Sequence, residues 1–228
     1  MKLNTKYNYP KSIRAYYNGQ RLYDVNNEKL PSVTTILNNT KSAEARESLN
    51  RWRAKIGSEA ADKITKEATS RGSAMHDFLE KFLLGKLNLD LLGDNSLERQ
   101  MADQIIENGL RNRVSEIWGV EATLFYPGRY AGAADLICKY EDKNSIVDFK
   151  NSTQLRKDEW NTDYYLQLSA YQMAHNKVYG TDINQGVILV CTKDLMFQRF
   201  VIDSERLKYY QEIFMRKVDE YYKMQLNN

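Results

Sequence analysis

The chain has 228 residues, 42% of them hydrophobic, with 33 basic and 30 acidic side chains. This length and composition allow one full hydrophobic core, so we predict a single domain over residues 1–228. The net charge of +3 and pI near 8.6 are too mild to indicate nucleic-acid binding by themselves. No apolar run has the roughly 20 residues of a membrane span and no signal-peptide core opens the chain, so we expect a soluble cytoplasmic protein.

Two local signals begin the chain. An Asn18-Gly19 pair between tyrosine-rich flanks predicts a β-hairpin. Further on, Pro31 stops the preceding segment and Ser32 is suited to cap a short helix.

The stretch from Ala43 to Gly85 is rich in Ala, Glu, Lys and Arg, which predicts helix with interruptions near Gly57 and Gly72. Cationic side chains surround an aromatic one early in this stretch: Arg51, Trp52, Arg53 and Lys55. Such a helix can guide a phosphate backbone and stack a base, although a charged helix is more commonly a solvated face. Both interpretations stay open at this point.

A histidine and a glutamate share one face of that helical stretch. His76 and Glu80 are one helical turn apart. A lone helical histidine is more often structural than a ligand. Beyond it we predict a loop over Leu87–Asn95, an amphipathic helix over Leu97–Trp118 and a strand over Val120–Tyr126.

Apolar, partly β-branched residues then predict two strands, Ala134–Tyr140 and Ile146–Phe149, joined by a polar turn over Glu141–Ser145. We place the centre of this turn between Asp142 and Lys143. The result is a β-hairpin that continues an antiparallel meander.

This hairpin gathers charged side chains on one face. In the predicted register Asp135 lies opposite Lys150 and diagonal to Asp148, while Phe149 points to the core. Two carboxylates and an ammonium on a half-buried surface favour a divalent cation. A solvated salt bridge is the commoner meaning of Asp-x-Lys. Gly132 removes a side chain where a backbone could approach a ligand.

The remaining pattern is α/β. We predict a helix over Leu155–Tyr179, strands over Gly186–Thr192 and Leu195–Ile202, and a closing helix over Ser204–Leu226. Helices on both sides of a mixed sheet follow from this order. The two cysteines, Cys138 and Cys191, lie in strand-like apolar runs and are expected to be reduced and buried.

Asp135 followed by Asp148-x-Lys150 resembles the PD-(D/E)XK nuclease superfamily. Gly72-Ser73-x-x-His76 and Gln167-x-x-x-Tyr171 are similar to two motifs of its RecB-type branch. The segment Pro-Ser-Val-Thr-Thr-Ile-Leu, followed by Trp-Arg and a glycine, resembles the amino-terminal segment of mitochondrial genome maintenance exonucleases and their phage relatives. In motif order the resemblance covers roughly residues 30 to 200.

The resemblance implies a restriction-endonuclease-like mixed central sheet flanked by helices, with an N-terminal helical clamp or arch. Residues of about 30–85 would guide DNA and residues of about 120–202 would form the catalytic core. The metal ligands for Mg²⁺ or Mn²⁺ would be His76, Asp135, Asp148 and the carbonyl of Phe149. The implied DNA contacts are Arg51, Trp52, Arg53, Lys55, Arg71 and Ser73.

The resemblance also implies catalytic roles. Lys150 would hold and help deprotonate the attacking water, or stabilise the pentacoordinate phosphate. Gln167 and Tyr171 would position the water or the scissile phosphate. Glu121 is a weaker catalytic candidate, and Glu80 is left as a supporting or structural residue.

We therefore predict a metal-dependent exonuclease that degrades single-stranded DNA from free ends in replication, recombination or repair, in the host cytoplasm if phage-encoded. Replication or recombination proteins are expected partners; a membrane and an iron–sulfur cluster are not, since two cysteines are too few for a four-cysteine cluster. The alternatives are a nuclease for duplex ends that works with a helicase or recombinase, and a non-catalytic DNA-binding or partner-docking module.

Overall fold

The computed structural model describes residues 1–17, 20–86 and 95–226. Its strands are β1 (Lys2–Leu3), β2 (Ile13–Tyr17), β3 (Gln20–Val25), β4 (Glu28–Pro31), β5 (Val114–Tyr126), β6 (Tyr130–Tyr140), β7 (Lys143–Ser152), β8 (Gln185–Thr192) and β9 (Phe197–Ile202). Its α-helices are α1 (Val33–Asn39), α2 (Ala43–Ile56), α3 (Ser58–Leu83), α4 (Leu97–Ile105), α5 (Thr162–Tyr179) and α6 (Ser204–Leu226). No helix within these described ranges is long and apolar enough to cross a membrane.

A six-stranded mixed sheet in the order β1-β5-β6-β7-β8-β9 forms the centre of the molecule. Strands β5, β6 and β7 are an antiparallel meander, and β8 pairs parallel to β7 after the crossover through α5. Helices α1, α5 and α6 share a buried cluster with one face of the sheet, and α3 and α4 share another with the opposite face. The predicted α/β class, with a mixed central sheet flanked by helices, is confirmed.

A small second sheet, β2-β3-β4, precedes the helices. It packs through a cluster that includes Tyr23 of β3 and Phe125 of β5. The predicted hairpin is confirmed by the antiparallel β2–β3 pairing, while its turn residues Asn18 and Gly19 lie outside the described residues. The predicted loop over residues 87–95 also lies outside them, except for Asn95.

The glycines of the helical stretch have different functions in the fold. Gly57 separates α2 from α3 with φ 88°, as predicted. The predicted break at Gly72 is wrong, because α3 runs through it. A Cβ added there would lie 2.7 Å from Nδ2 of Asn151, so the missing side chain lets α3 approach β7 closely.

Two other helix boundaries differ from the prediction. The helix predicted over Leu97–Trp118 ends in a π-helical turn at Ile106–Leu110, and Val114 begins β5. Register irregularities in β5 place Val114 and Ile117 in the same buried cluster, so a helix-like spacing of three was produced by a bulged strand. The helix predicted from Leu155 begins at Thr162, after a 3₁₀ turn.

The central hairpin is longer than predicted and turns one residue earlier. Tyr140 pairs with Lys143, and the two turn residues between them, Glu141 and Asp142, have φ values of 48° and 62°. Such positive values are typical of a two-residue type I′ turn. The predicted register was therefore wrong by two residues, which leaves each side chain on its predicted face. Both cysteines are free and buried, as expected.

Candidate active site

The corrected register brings two carboxylates together. Leu136 of β6 pairs with Val147 of β7, so Asp135 and Asp148 follow as the next residues on the two strands. Oδ2 of Asp135 accepts the backbone N–H of Phe149 at 2.7 Å. Asp135 therefore neighbours Asp148 instead of Lys150, and its side chain reaches across to β7.

Asp148 and Lys150 form an ion pair on this face. Asp148 is only 1% exposed, and the Lys150 ammonium is the one partner of its carboxylate oxygens within the described part of the chain. Burial raises the pKa of Asp148 to about 6, although the Lys150 charge opposes that rise and Asp135 adds to it. Burial lowers the pKa of Lys150, but the charges of Asp148 and Asp135 outweigh it and leave that pKa raised. Lys150 therefore stays protonated at neutral pH.

His76 of α3 also belongs to this group. Its Nε2 lies 2.9 Å from the carbonyl oxygen of Phe149, and its Nδ1 lies 3.7 Å from both Glu121 Oε1 and Asp135 Oδ1. Burial lowers the pKa of His76, but the nearby carboxylates of Asp135 and Glu121 raise it overall to about 9. Without a cation, the carboxylates thus stabilise the protonated ring, and a metal ion bound to Nδ1 would displace that proton.

Glu121 has the least ordinary backbone of the group. It lies between the pairs Val120–Leu136 and Ala122–Ala134, and so across from Asp135, with φ 47°. A left-handed conformation costs a non-glycine residue on the order of 1–3 kcal/mol, and such residues cluster at functional sites. One ligand atom each from His76, Glu121 and Asp135 lies within 4.8 Å of the others.

These groups fit a divalent cation. Carboxylate oxygens and an imidazole are suitable donors for Mg²⁺ or Mn²⁺, and the buried Asp148 carboxylate, paired with Lys150, adds a further oxygen donor beside the cluster. A metal-binding histidine usually donates its other N–H to a carbonyl, which is the arrangement of His76 with Phe149. Glu121 is closer to the centre of the site than predicted, and the Phe149 carbonyl is engaged by His76.

Helix α5 carries the predicted glutamine–tyrosine pair. Gln167 Nε2 donates to the Tyr171 hydroxyl at 3.2 Å, and burial raises the pKa of Tyr171 far above its ordinary value. The Tyr171 ring occupies the space over Gly132, where an added Cβ would lie 2.6 Å from Cε1. The space left by Gly132 therefore receives Tyr171, not a ligand as predicted.

An open cleft of about 720 Å³ runs beside this group. Its lining comes from β2, α1, α3, β5 and β7: Arg14, Thr34, Thr69, Gly72, Ser73, His76, Asp77, Glu80, Glu121 and Lys150. Ser73 is exposed in it. Sequence reasoning did not assign Arg14, Thr34, Thr69 or Asp77 to the site, although Thr34 lies in the Pro-Ser-Val-Thr-Thr-Ile-Leu segment.

The other predicted DNA contacts do not line the cleft. Arg71 is 7% exposed and donates to Asn151, so its described contact is within the protein. Helix α2 has no buried residue, and its Trp52 is 37% exposed. The neighbouring cations are also at the surface: Arg51 pairs with Glu47, Arg53 pairs with Asp62, and Lys55 is exposed.

Comparison with known proteins confirms the predicted resemblance. The chain is 26% identical over 201 residues to human "Mitochondrial genome maintenance exonuclease 1", covering 84% of this chain and 58% of that protein. It is 28% identical over 210 residues to the mouse protein of that name, covering 87% and 60%. The chain thus spans about 60% of the length of these curated relatives. No family model matches.

Solved structures with similar chains include two described as exonucleases. A putative exonuclease from Eubacterium rectale is 15% identical with a TM-score of 0.39, covering 66% of this chain and 68% of that chain. An alkaline exonuclease from Laribacter hongkongensis is 11% identical with a TM-score of 0.35, covering 86% and 92%.

Proposed function

We propose that this chain is a divalent-metal-dependent exonuclease that hydrolyses single-stranded DNA from free ends. The observation that carries the proposal is the buried Asp148–Lys150 ion pair beside the cluster of His76, Glu121 and Asp135, a group that opens to one cleft through His76, Glu121 and Lys150. Support also comes from the relatives, whose name describes an exonuclease that maintains a genome. A surface salt bridge would have neither the burial nor the neighbouring acids.

The metal would be held by Asp135 and Asp148 with His76, and Glu121 is the added candidate. Bound there, Mg²⁺ or Mn²⁺ would neutralise charge on the phosphate and lower the pKa of a water molecule. The chain's own task is to orient these ligands. Asp135 is fixed by the Phe149 N–H, and His76 by the Phe149 carbonyl.

Lys150 and the α5 pair would act on the phosphate and the water. Lys150, held by Asp148, would either hold and help deprotonate the attacking water or stabilise the negative charge that develops on the phosphate. Gln167, held by Tyr171, would position the water or a phosphate oxygen. Asp148 holds Lys150 in place for either role.

The preference for single strands rests on the helical segment. Helix α2 extends from α3 without burying a side chain, and it exposes cations around Trp52. Such a helix suits the phosphates and bases of a flexible strand better than a stiff duplex. We assign residues of about 30–85 to DNA guidance and about 120–202 to catalysis within one domain. The proposed setting is a cytoplasmic enzyme that works with replication or recombination proteins.

Three substrates test this proposal at equal nucleotide concentration and modest salt: linear single strands, blunt duplex and covalently closed circular single strands. We expect linear strands to be degraded to short products with Mg²⁺ or Mn²⁺, EDTA to abolish cleavage, and closed circles to survive. Full activity in EDTA contradicts the metal site. Rapid loss of the circle contradicts the need for an end, and preference for blunt duplex favours a duplex-end nuclease.

Lys150→Ala separates catalysis from DNA binding. Turnover should collapse while affinity for single strands changes little, because Lys150 is one cation among many distributed contacts. Lys139→Ala is the matched control. Lys139 of β6 also pairs with a carboxylate, that of Glu116 in β5, but it lies outside the cleft. DNA binding without any metal-dependent cleavage by the unaltered protein would favour the non-catalytic module.

A further inference from the structure

One wall of the cleft comes from the N-terminal sheet, which carries none of the nuclease motifs. Arg14 of β2 lines the same cleft as Glu121 and Lys150. Its strand lies in the hairpin that the sequence marked only as a structural opening of the chain. The guanidinium therefore has access to whatever occupies the catalytic cleft.

Arg14 differs from the other cationic side chains of the cleft, Lys150 and His76, in its pairing. Lys150 is paired with Asp148, and Asp77 is paired with Lys81. Arg14 forms no ion pair with any acidic side chain in the described ranges 1–17, 20–86 and 95–226, although the cleft contains Glu80 and Glu121. Its charge is thus available to a ligand.

An aromatic ring supports this guanidinium. Arg14 Cζ lies 5.6 Å from the ring centroid of Tyr23, which is 2% exposed and belongs to the cluster that fixes the small sheet on the main one. Stacking on a rigid ring restricts the long side chain before a ligand arrives, so less conformational entropy is lost on binding. A planar guanidinium also matches two phosphate oxygens at once.

We propose that Arg14 binds a phosphate of the DNA strand adjacent to the phosphate that is cleaved. The candidate metal ligands and Lys150 serve the reacting phosphate, and Arg14, which lines the same cleft from β2 without an ion pair to Glu121, serves the neighbouring one. Arg14 is then a positioning residue that holds the strand in register. This inference rests on the proposed nuclease function.

The first test measures binding without cleavage. Anisotropy of a labelled single-stranded oligonucleotide in EDTA gives Kd over a range of salt concentrations for the unaltered protein and Arg14→Gln. Loss of one phosphate contact should weaken binding by about 10-fold or more and reduce the slope of log K against log salt by about 0.7. Arg111→Gln is the control, because Arg111 is exposed, pairs with Glu107 and lies outside the cleft.

The second test measures steady-state cleavage in Mg²⁺. Arg14→Gln should raise KM by about 10-fold or more, in line with its loss of affinity, while kcat stays within about twofold. Arg14→Lys should recover part of the KM, since it keeps the charge without the two-pronged geometry. A methylphosphonate placed next to the cleaved position should raise KM for the unaltered protein and add little to the defect of Arg14→Gln.

Separate results distinguish the two proposals. Cleavage with an unchanged KM and salt slope in Arg14→Gln overturns only the role of Arg14. A fall in kcat at constant KM also overturns it, because Arg14 would then act on the reacting phosphate. A protein that binds single strands with the expected Arg14 effect but never cleaves them supports the phosphate site and overturns the nuclease function. A protein that binds no single strands overturns both.

Discussion

Adding one methyl group at Gly132 is expected to disable the site without touching a charged residue. The backbone conformation of Gly132 is one that alanine adopts, so the effect is steric. The new Cβ would lie 2.6 Å from Tyr171 Cε1 and 2.9 Å from its hydroxyl oxygen, whereas ordinary carbon contacts are about 3.5–4.0 Å. The Tyr171 ring must therefore move by about 1 Å, and Gln167 loses the partner it holds at 3.2 Å.

The size of the effect follows from this displacement. Overpacking of a core costs about 1–3 kcal/mol, which lowers the melting temperature of a chain of this size by about 2–12 °C. A misplacement of about 1 Å near the reacting groups lowers turnover about 100-fold. Thermal unfolding by circular dichroism and single-turnover cleavage at 25 °C measure the two effects on Gly132→Ala separately.

Gly186→Ala is the matched control in β8, which lies two strands from β6 in the same sheet. Its Cβ would lie 3.0 Å from Ile202 Cγ1 and Leu168 Cδ1, two aliphatic side chains. Leu168 follows Gln167 in α5, so the control crowds the same helix, but Tyr171 is not among the nearest neighbours of the added Cβ. We expect a smaller loss of stability and unchanged turnover. If Gly132→Ala matched the unaltered protein in both assays, the close contact with Tyr171 would be refuted. If it lost stability but kept its turnover, Tyr171 would be a packing residue only.

Two further predictions concern buried titratable groups. Burial and the Asp135 charge raise the pKa of Asp148 to about 6 despite the opposing Lys150 charge, so the ionised carboxylate costs stability at neutral pH. In EDTA at neutral pH, Asp148→Asn should therefore raise the free energy of unfolding by about 1–3 kcal/mol while abolishing cleavage. Exposed Asp194→Asn is the control, and destabilisation of Asp148→Asn would contradict the reasoning. Burial lowers the pKa of His175 from 6.5 to about 4, and the Lys6 charge adds to this shift. The neutral ring therefore contributes about 3 kcal/mol of stability above pH 6.5, and this contribution is lost as the pH falls through 4. With only two histidines in the chain, NMR titration identifies its midpoint directly, and a value near 6.5 would refute this.

The parts of the fold with one clear period were predictable from sequence. Helix α6 has its predicted ends, and β8 begins one residue earlier than expected. The start of β5 was not predictable by periodicity, because its irregular register keeps Val114 and Ile117 on one face at a spacing that suggests helix. The helix break predicted at Gly72 was wrong for a related reason, because Gly72 allows a close tertiary contact with Asn151 and does not interrupt the helix.

The predicted side chains come together although the predicted register was wrong. A shift of two residues preserves the face of every side chain, so Asp135, Asp148 and Lys150 still gather even though the turn was misplaced. The importance of Glu121 depends on its positive φ, which a sequence of ordinary strand residues does not reveal. The position of Arg14 in the cleft depends on how the small sheet packs against the main one, and no local motif indicates that arrangement.

The energetics of the site explain why these particular features escape sequence analysis. Asp148 is buried beside Asp135, and Glu121 adopts a strained backbone conformation to bring a third carboxylate near His76. Each feature lowers the stability of the metal-free fold, so none follows from rules that describe what stabilises strands and helices. The large buried clusters on the two faces of the sheet supply the compensating stability. A bound cation would relieve the repulsion among the carboxylates, so the fold would gain stability from the same ion that the proposed chemistry requires.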